Sequence, residues 1–180
     1  MPAVRERLGP GIYLGYALGS VGTGIYNTVP GLLLLFYMTN TLGIPASWAA
    51  LAIFVPKLWD VITDPWMGSI SDRVQTRWGR RRPWLLLGGL TLPPCFALLF
   101  MTPDFGSPTA AFAWVTGFYV LCATFYTVFS IPYISMPAEM TDDYHETTTL
   151  MAYRMSALTI GVLVSGAVAP MLVKTGGEGR

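Results

Sequence analysis

Long apolar runs alternate with short polar links along this chain. Crossing the hydrocarbon core of a bilayer takes about 20 residues of helix. Five segments reach that length: residues 11–38, 46–71, 83–102, 110–137 and 148–173. The links between them read TNTLGIP, RVQTRWGRRRP, TPDFGSPT and AEMTDDYHETTT. The pattern predicts an all-α membrane protein in which five transmembrane helices form one bundle over residues 1–180, without a soluble domain.

The composition agrees with a membrane protein. Hydrophobic residues make up 53% of the chain and charged residues 12%, against about 45–50% and about 25% in soluble domains. The net charge of +1 gives no sign of a nucleic-acid partner. Cys95 and Cys122 lie in apolar runs with no second ligand at metal-binding spacing, so we expect them to be packing residues.

Basic residues predict the orientation in the membrane. The second link carries five arginines and the N-terminal arm two, whereas the first and third links carry no Lys or Arg. By the positive-inside rule the N-terminus and the second link are cytoplasmic, in a cell inner membrane. Five is an odd number of spans, so we expect the chain to be the N-terminal part of a longer protein whose C-terminal half is absent.

Three charges stand on one face of the second predicted helix. Lys57, Asp60 and Asp64 fall within about 60° of one another at 100° per residue. A carboxylate near the bilayer centre costs about 2.5–3.5 kcal/mol unless it meets water or a cation. One lysine neutralises one aspartate, and the second then favours a coupling ion, sodium or a proton. Thr63 and Thr127 offer further oxygen atoms. A purely structural ion pair is the alternative.

Polar side chains on other helices are candidates for binding a polar solute. On the first helix Tyr16, Ser20, Thr23 and Asn27 form one stripe, although interhelical hydrogen bonding would also explain it. A neighbouring stripe of Gly11, Gly15, Gly19 and Gly22 would let another helix approach closely. Arg154 is an intramembrane arginine, which is expected to face the bundle interior and pair with Asp60, Asp64 or a substrate group. Ser130 is a polar group near the end of the fourth helix.

The loop after the second predicted helix resembles a motif of a known family. GSISDRVQTRWGRRRP, residues 68–83, resembles the cytoplasmic loop motif of the major facilitator superfamily. The matching positions are Gly68, Asp72, Arg73, Gly79, Arg80 and Arg81. KLWDVITDPWMG, FYMTNTLGI, SIPYISMPAEM and YRMSAL make the chain similar, more narrowly, to the glycoside-pentoside-hexuronide cation symporters. We expect Asp72 to act as a conformational latch with the arginines beside it, Arg73 and Arg80.

The resemblance implies a fold, a function and a set of site residues. The fold would be most of the first of two six-helix bundles, which rock against each other around a substrate. The function would be cation-coupled symport of a glycoside or similar sugar. In such symporters the positions of Asp60 and Asp64 bind the cation with Thr63 and Thr127 beside them, and Arg154 contacts the sugar. Lys57, Tyr16, Thr23, Asn27 and Ser130 are the other substrate-binding candidates.

The sequence gives less support to other functions. Family relatives with similar charges move lysolipids or other amphiphiles, and a non-transporting membrane interaction protein is a further alternative. An aspartyl intramembrane protease needs aspartates on two different helices, whereas Asp60 and Asp64 share one. The sequence therefore predicts no enzyme, no cofactor and no metal beyond a coupling sodium ion. The expected partners are the sugar, the bilayer and the missing half.

The predicted orientation has a direct test. Reporter fusions after Asn40 and after Gly79 should report opposite sides of the membrane, with Gly79 cytoplasmic, because the arginines cluster only around the second of these positions. A paired reporter, one active only in the cytoplasm and one only outside it, gives the readout. The same side for both fusions would contradict the topology.

Overall fold

The structure is a computed structural model that describes residues 8–177, with side chains described from 8 to 171. This part of the chain forms six α-helices and no β-strand. The helices are α1 (Pro10–Val29), α2 (Ala46–Arg73), α3 (Arg82–Phe100), α4 (Pro108–Ser135), α5 (Pro137–Met140) and α6 (Tyr144–Gly177). The prediction of an all-α fold is confirmed.

The first predicted helix continues past α1. Two π-helical turns, Pro30–Leu34 and Tyr37–Thr41, carry the helical backbone on to Thr41. Pro30 has no N–H to donate to the preceding turn, and wider turns of this kind accommodate such a break. The predicted segment 11–38 thus corresponds to α1 together with these two turns.

Four helical stretches are long and apolar enough to cross a membrane among the residues described. They are α2, α3, the stretch Pro108–Met140 that joins α4 and α5, and α6 as far as Met171. α1, which ends at Val29, is not in this group. Its helical continuation to Thr41 contains the apolar run GLLLLFYM, and that the whole first helix crosses the membrane stays a prediction.

The helices fall into two compact units. One comprises α1 with α5 and α6, and within it α1 packs along α6. The other comprises α2, α3 and α4, and within it α4 packs against both α2 and α3. That all five long helices make a single bundle stays a prediction.

A reciprocal glycine contact brings α1 and α6 together. A Cβ atom on Gly24 would lie 2.7 Å from the carbonyl oxygen of Leu158, and one on Gly161 would lie 2.7 Å from that of Val21. Real side chains do not fit at such distances, so each helix needs glycine where the other's backbone approaches. The expected glycine stripe is not the contact surface, since a Cβ on Gly15 or Gly22 would meet nothing within 4 Å.

A glycine also lets α3 pack closely against α4. A Cβ atom on Gly88 would lie 2.7 Å from the Cβ of Phe129 and 2.8 Å from its backbone nitrogen. α3 therefore lies directly against the backbone of α4, which leaves the remaining surface of α4 for α2.

The α1–α6 contact predicts the effect of added methyl groups. Gly24→Ala and Gly161→Ala should each lower stability by about 1–3 kcal/mol, because the facing backbone has to move to admit the new carbon. Gly22→Ala is the matched control on the same helix, since it enters open space. Thermal unfolding of the detergent-purified protein measures the difference. Equal stability of Gly24→Ala and Gly22→Ala would show that the helices are not in tight contact.

Candidate functional site

One face of α2 packs along α4 within their unit. The buried residues of α2 recur every three or four positions, at Ala49, Ala52, Pro56, Met67 and Ser71. Asp60 and Asp64 occupy the gap in this series and continue the same face. Both carboxylates therefore lie at or beside the interface between α2 and α4.

Asp64 is bound directly to α4. The hydroxyl of Thr127 donates a hydrogen bond of 2.8 Å to Oδ1 of Asp64, and the Thr127 side chain is buried. The structure thus brings together two of the four predicted cation-binding residues, one from each helix.

Asp60 has a partner on its own helix. Nζ of Lys57 lies 3.6 Å from Oδ2 of Asp60, one turn away, and the Lys57 side chain is 60% exposed whereas that of Asp60 is 21% exposed. The other carboxylate oxygen, Oδ1, is buried and accepts no hydrogen bond from any residue described. A buried charged oxygen without a donor is unfavourable unless a cation or a proton binds it.

Thr63 completes the predicted cation set. Its hydroxyl donates to the Trp59 carbonyl at 3.0 Å, so the proton stays within α2 and the oxygen lone pairs remain available. Within residues 8–177, no group of three or more His, Cys, Asp or Glu side chains gathers to hold a metal. A cation here would therefore depend on two carboxylates together with hydroxyl oxygens, which suits a hard ion.

The predicted substrate residues divide between the two units. Lys57 and Ser130 belong to the unit of α2, α3 and α4, and the rest belong to the unit of α1 and α6: Tyr16, Thr23, Asn27 and Arg154. That these six residues share one substrate site stays a prediction.

The polar stripe of α1 is tied at least partly to its own helix. Thr23 donates to the Ser20 carbonyl at 2.8 Å, and the Asn27 amide donates to the Thr23 carbonyl at 2.9 Å. Asn27 is exposed, whereas Tyr16 and Thr23 are buried.

Arg154 is half-buried on α6, with Nη1 4.0 Å from the Met151 sulfur. The ring of Tyr153 packs 5.6 Å from that of Tyr13, so this part of α6 is fixed to the beginning of α1. The expected pairing of Arg154 with Asp60 or Asp64 stays a prediction.

The loop between α2 and α3 is organised around Asp72, which pairs closely with Arg81 and more loosely with Arg80, one of the two arginines expected beside it. Nη2 of Arg81 lies 2.8 Å from Oδ1 of Asp72, whereas Nη2 of Arg80 lies 3.8 Å away. Arg81 also donates to the Ser71 hydroxyl at 2.8 Å and is buried. Its planar guanidinium group thereby fastens the start of α3 to the end of α2.

A tight turn makes this arrangement possible. Gly79 has a φ of +95°, a conformation that favours glycine. Its N–H donates to the Thr76 carbonyl at 3.0 Å, and the Thr76 hydroxyl donates back to the Gly79 carbonyl at 2.7 Å. The turn reverses the chain directly before Arg80 and Arg81. Gly68 contributes a carbonyl that accepts from the Ser71 hydroxyl at 3.1 Å.

Two residues near the carboxylates were missed by sequence reasoning. Nε1 of Trp59 donates a hydrogen bond of 2.9 Å to the hydroxyl of Thr124 on α4. The spacing in the sequence could have indicated Thr124. It precedes Thr127 by about one helical turn, so both hydroxyls lie at neighbouring positions of α4.

Comparison with known proteins identifies the family of this chain. Residues 15–179 match the family model described as MFS/sugar transport protein. The chain belongs to that family, among the glycoside-pentoside-hexuronide cation symporters of the major facilitator superfamily. The resemblance drawn from the aspartate helix and the arginine loop is thus confirmed. The family is one of integral membrane transporters, which points to transport rather than catalysis.

Named relatives come from bacteria and vertebrates. The chain is 31% identical over 169 residues to the inner membrane symporter YicJ of Escherichia coli, covering 93% of this chain and 36% of that protein. It is 31% identical over 168 residues to the uncharacterized symporter sll1374 of Synechocystis, covering 91% and 31%. It is 28% identical over 176 residues to the sodium-dependent lysophosphatidylcholine symporter 1 of Mus musculus, covering 96% and 33%. The chain spans about a third of the length of these relatives.

The contacts of Asp72 predict a kinetic effect. The carboxylate is 58% exposed, and exposed ion pairs contribute about 0–1 kcal/mol. That amount can shift a nearly balanced equilibrium between two conformations of the transporter. It is too small to hold the fold together. Asp72→Asn and Arg81→Gln, made in the complete reading frame, should slow transport about two- to fivefold with little change in substrate affinity.

Initial uptake rates and equilibrium substrate binding separate these two effects. Arg77→Gln is the matched control, because Arg77 lies in the same loop and is exposed. Uptake by Asp72→Asn at the wild-type rate would refute a latch at this position.

Proposed function

We propose that the chain forms the first part of a cation-coupled symporter for a glycoside or similar sugar, with Asp60 and Asp64 binding the coupling ion, sodium or a proton. One observation carries the proposal: two carboxylates share one face at the middle of a membrane helix, and one buried oxygen of Asp60 has no donor among the residues described. Thr127 and Thr63 supply the neighbouring hydroxyl oxygens.

The charge balance favours an ion over a structural pair. Each carboxylate at this depth costs about 2.5–3.5 kcal/mol on insertion scales. Lys57 neutralises one of them, and its 3.6 Å contact is with Asp60. The hydrogen bond from Thr127 supports Asp64 but brings no positive charge. A bound cation or proton supplies the charge that is lacking.

Lys57 also indicates where water enters. It lies only three residues from the centre of α2. An ammonium group at that depth needs water or a polar partner, because lipid tails offer neither. The flank of α2 that carries Lys57 therefore borders the aqueous path, and Lys57 competes with the coupling ion for Asp60.

The substrate side of the proposal uses hydroxyl, amide and guanidinium groups. Tyr16, Thr23, Asn27, Ser130 and Arg154 are the groups that match sugar hydroxyls, which both donate and accept hydrogen bonds. Cation and sugar would be linked reciprocally, so that each tightens the binding of the other by the same factor, typically about 5–150-fold.

The relatives support a proposal for the membrane in which the transporter lies. YicJ is named an inner membrane symporter, and we place this chain in the same kind of membrane with its N-terminus cytoplasmic. Since the relatives are about three times as long, further helices would form the second half of the transporter.

Transport of a lysolipid is the second candidate. Sodium-dependent lysophosphatidylcholine symporters of mouse, zebrafish and chicken match at 28–29% identity over 94–96% of the chain. An amphiphile would use the same coupling-ion site and a different substrate surface. Uptake of lysophosphatidylcholine by cells expressing the complete reading frame, with no uptake from a panel of glycosides, would favour this candidate.

The coupling-ion site predicts the behaviour of two isosteric variants. Asp60→Asn and Asp64→Asn should each abolish cation-stimulated uptake and cation-induced thermal stabilisation. Each removes one unit charge, and at 4 Å and an effective dielectric constant of about 20 such a charge contributes about 4 kcal/mol. That loss takes cation affinity out of the measurable range.

Asp104→Asn is the matched control, because Asp104 is an exposed loop aspartate in the same unit. Titrations with sodium and with pH identify the coupling ion. A normal cation response in both Asp60→Asn and Asp64→Asn would leave only the structural ion pair and would remove the proposed coupling site.

A further inference from the structure

A hydrogen bond joins α2 to α4 at the level of the two carboxylates. Nε1 of Trp59 donates to the Thr124 hydroxyl at 2.9 Å. That hydroxyl donates its own proton to the Val120 carbonyl at 2.9 Å. A hydroxyl has one proton and two lone pairs, so this bond to Val120 leaves a lone pair for the indole. The orientation of the acceptor is therefore fixed by α4 itself.

Trp59 and Asp60 are the two central residues of the 28-residue helix α2. At 100° per residue, Trp59 and Asp64 point about 140° apart around the helix, and Asp60 points between them. Trp59 is held by Thr124 and Asp64 by Thr127. The two hydrogen bonds therefore hold α2 from both flanks, and a rotation of α2 about its axis would break one of them.

Asp60 depends on this arrangement more than Asp64 does. Its ion-pair partner, Lys57, is on the same helix, and its buried oxygen accepts no hydrogen bond from α4 or any other described residue. The direction in which the Asp60 carboxylate points is thus set by the rotation of α2. Neighbours that fix this rotation also fix the carboxylate.

We infer that Trp59 and Thr124 are positioning residues of the coupling-ion site, which hold the Asp60 carboxylate at the α4 interface beside Asp64. The inference rests on the proposed function of Asp60 and Asp64. Trp59 and Thr124 need not touch the ion. Their hydrogen bond restricts the rotation of α2, and ion binding then requires less ordering of the two carboxylates.

The competing explanation is that Thr124 merely satisfies the indole N–H, which would otherwise lack a partner at membrane depth. The two explanations differ for Trp59→Phe. That variant keeps an aromatic ring and removes the donor, so it leaves no unsatisfied group on α2. If satisfying the indole is the whole role, cation affinity does not change. If the bond positions Asp60, cation affinity falls.

The experiment uses the complete reading frame, purified in detergent, with sodium and protons as probes. Trp59→Phe and Thr124→Val should each weaken cation affinity about two- to tenfold, the range expected for one hydrogen bond. The double variant should lose no more than either single variant, because both remove the same bond. Thr124→Ser, which keeps the hydroxyl, should retain affinity close to wild type.

Cation-induced thermal stabilisation gives the affinities, and substrate binding at saturating cation gives the second readout, which should stay unchanged. Trp66→Phe is the matched control, since Trp66 is on α2 and 68% exposed. The control should bind cations like the wild type.

Each failure points to a different cause. Loss of the cation response in Asp60→Asn and Asp64→Asn, with wild-type affinity in Trp59→Phe and Thr124→Val, would overturn this inference and leave the proposed function standing. A cation response that survives in both aspartate variants would overturn the proposed function itself. Additive losses in the double variant would show that Trp59 and Thr124 act separately, and would also overturn the inference.

Discussion

Two carboxylates halfway along a membrane helix are the constraint to which the surrounding residues respond. Ionised side chains at this depth require charge, hydrogen bonds or water. The structure supplies the first two from different directions. Lys57 approaches Asp60 along α2, and Thr127 approaches Asp64 from α4. The interface between α2 and α4 is therefore an electrostatic arrangement as much as a packing surface, and its incomplete neutralisation is the basis of the proposed ion coupling.

α4 serves as the platform for this arrangement. Gly88 lets the backbone of α3 lie against α4 at Phe129, so α4 is supported on one side while it offers two threonine hydroxyls to α2 on another. At the loop end of α2, Arg81 ties Ser71 and Asp72 to the start of α3. The three helices are thus connected at both the carboxylates and the loop, which gives a physical route by which the proposed ion binding and the loop contacts would influence one another.

The sequence predicts helices and shared faces well, because both follow from hydropathy and from the 100° step. Lys57, Asp60 and Asp64 were placed on one face by spacing alone, and Thr127 was already a candidate oxygen ligand before the family resemblance gave it the same role. Contacts that depend on the rotation of one helix against another were not predictable. Trp59 binding Thr124 is one example, and Gly24 rather than its neighbouring glycine stripe is another. Arg81 contacts Asp72 more closely than the expected Arg80 does, and the turn at Gly79 lies directly before both arginines.

The glycine contact between α1 and α6 has a consequence for biosynthesis. Of the long helices described, α1 is made first. Its backbone fits against α6, whose Gly161 lies more than a hundred residues further along the chain. A contact of such long sequence separation forms late. The ribosome therefore delivers α1 to the membrane well before it makes α6, the helix against which α1 packs.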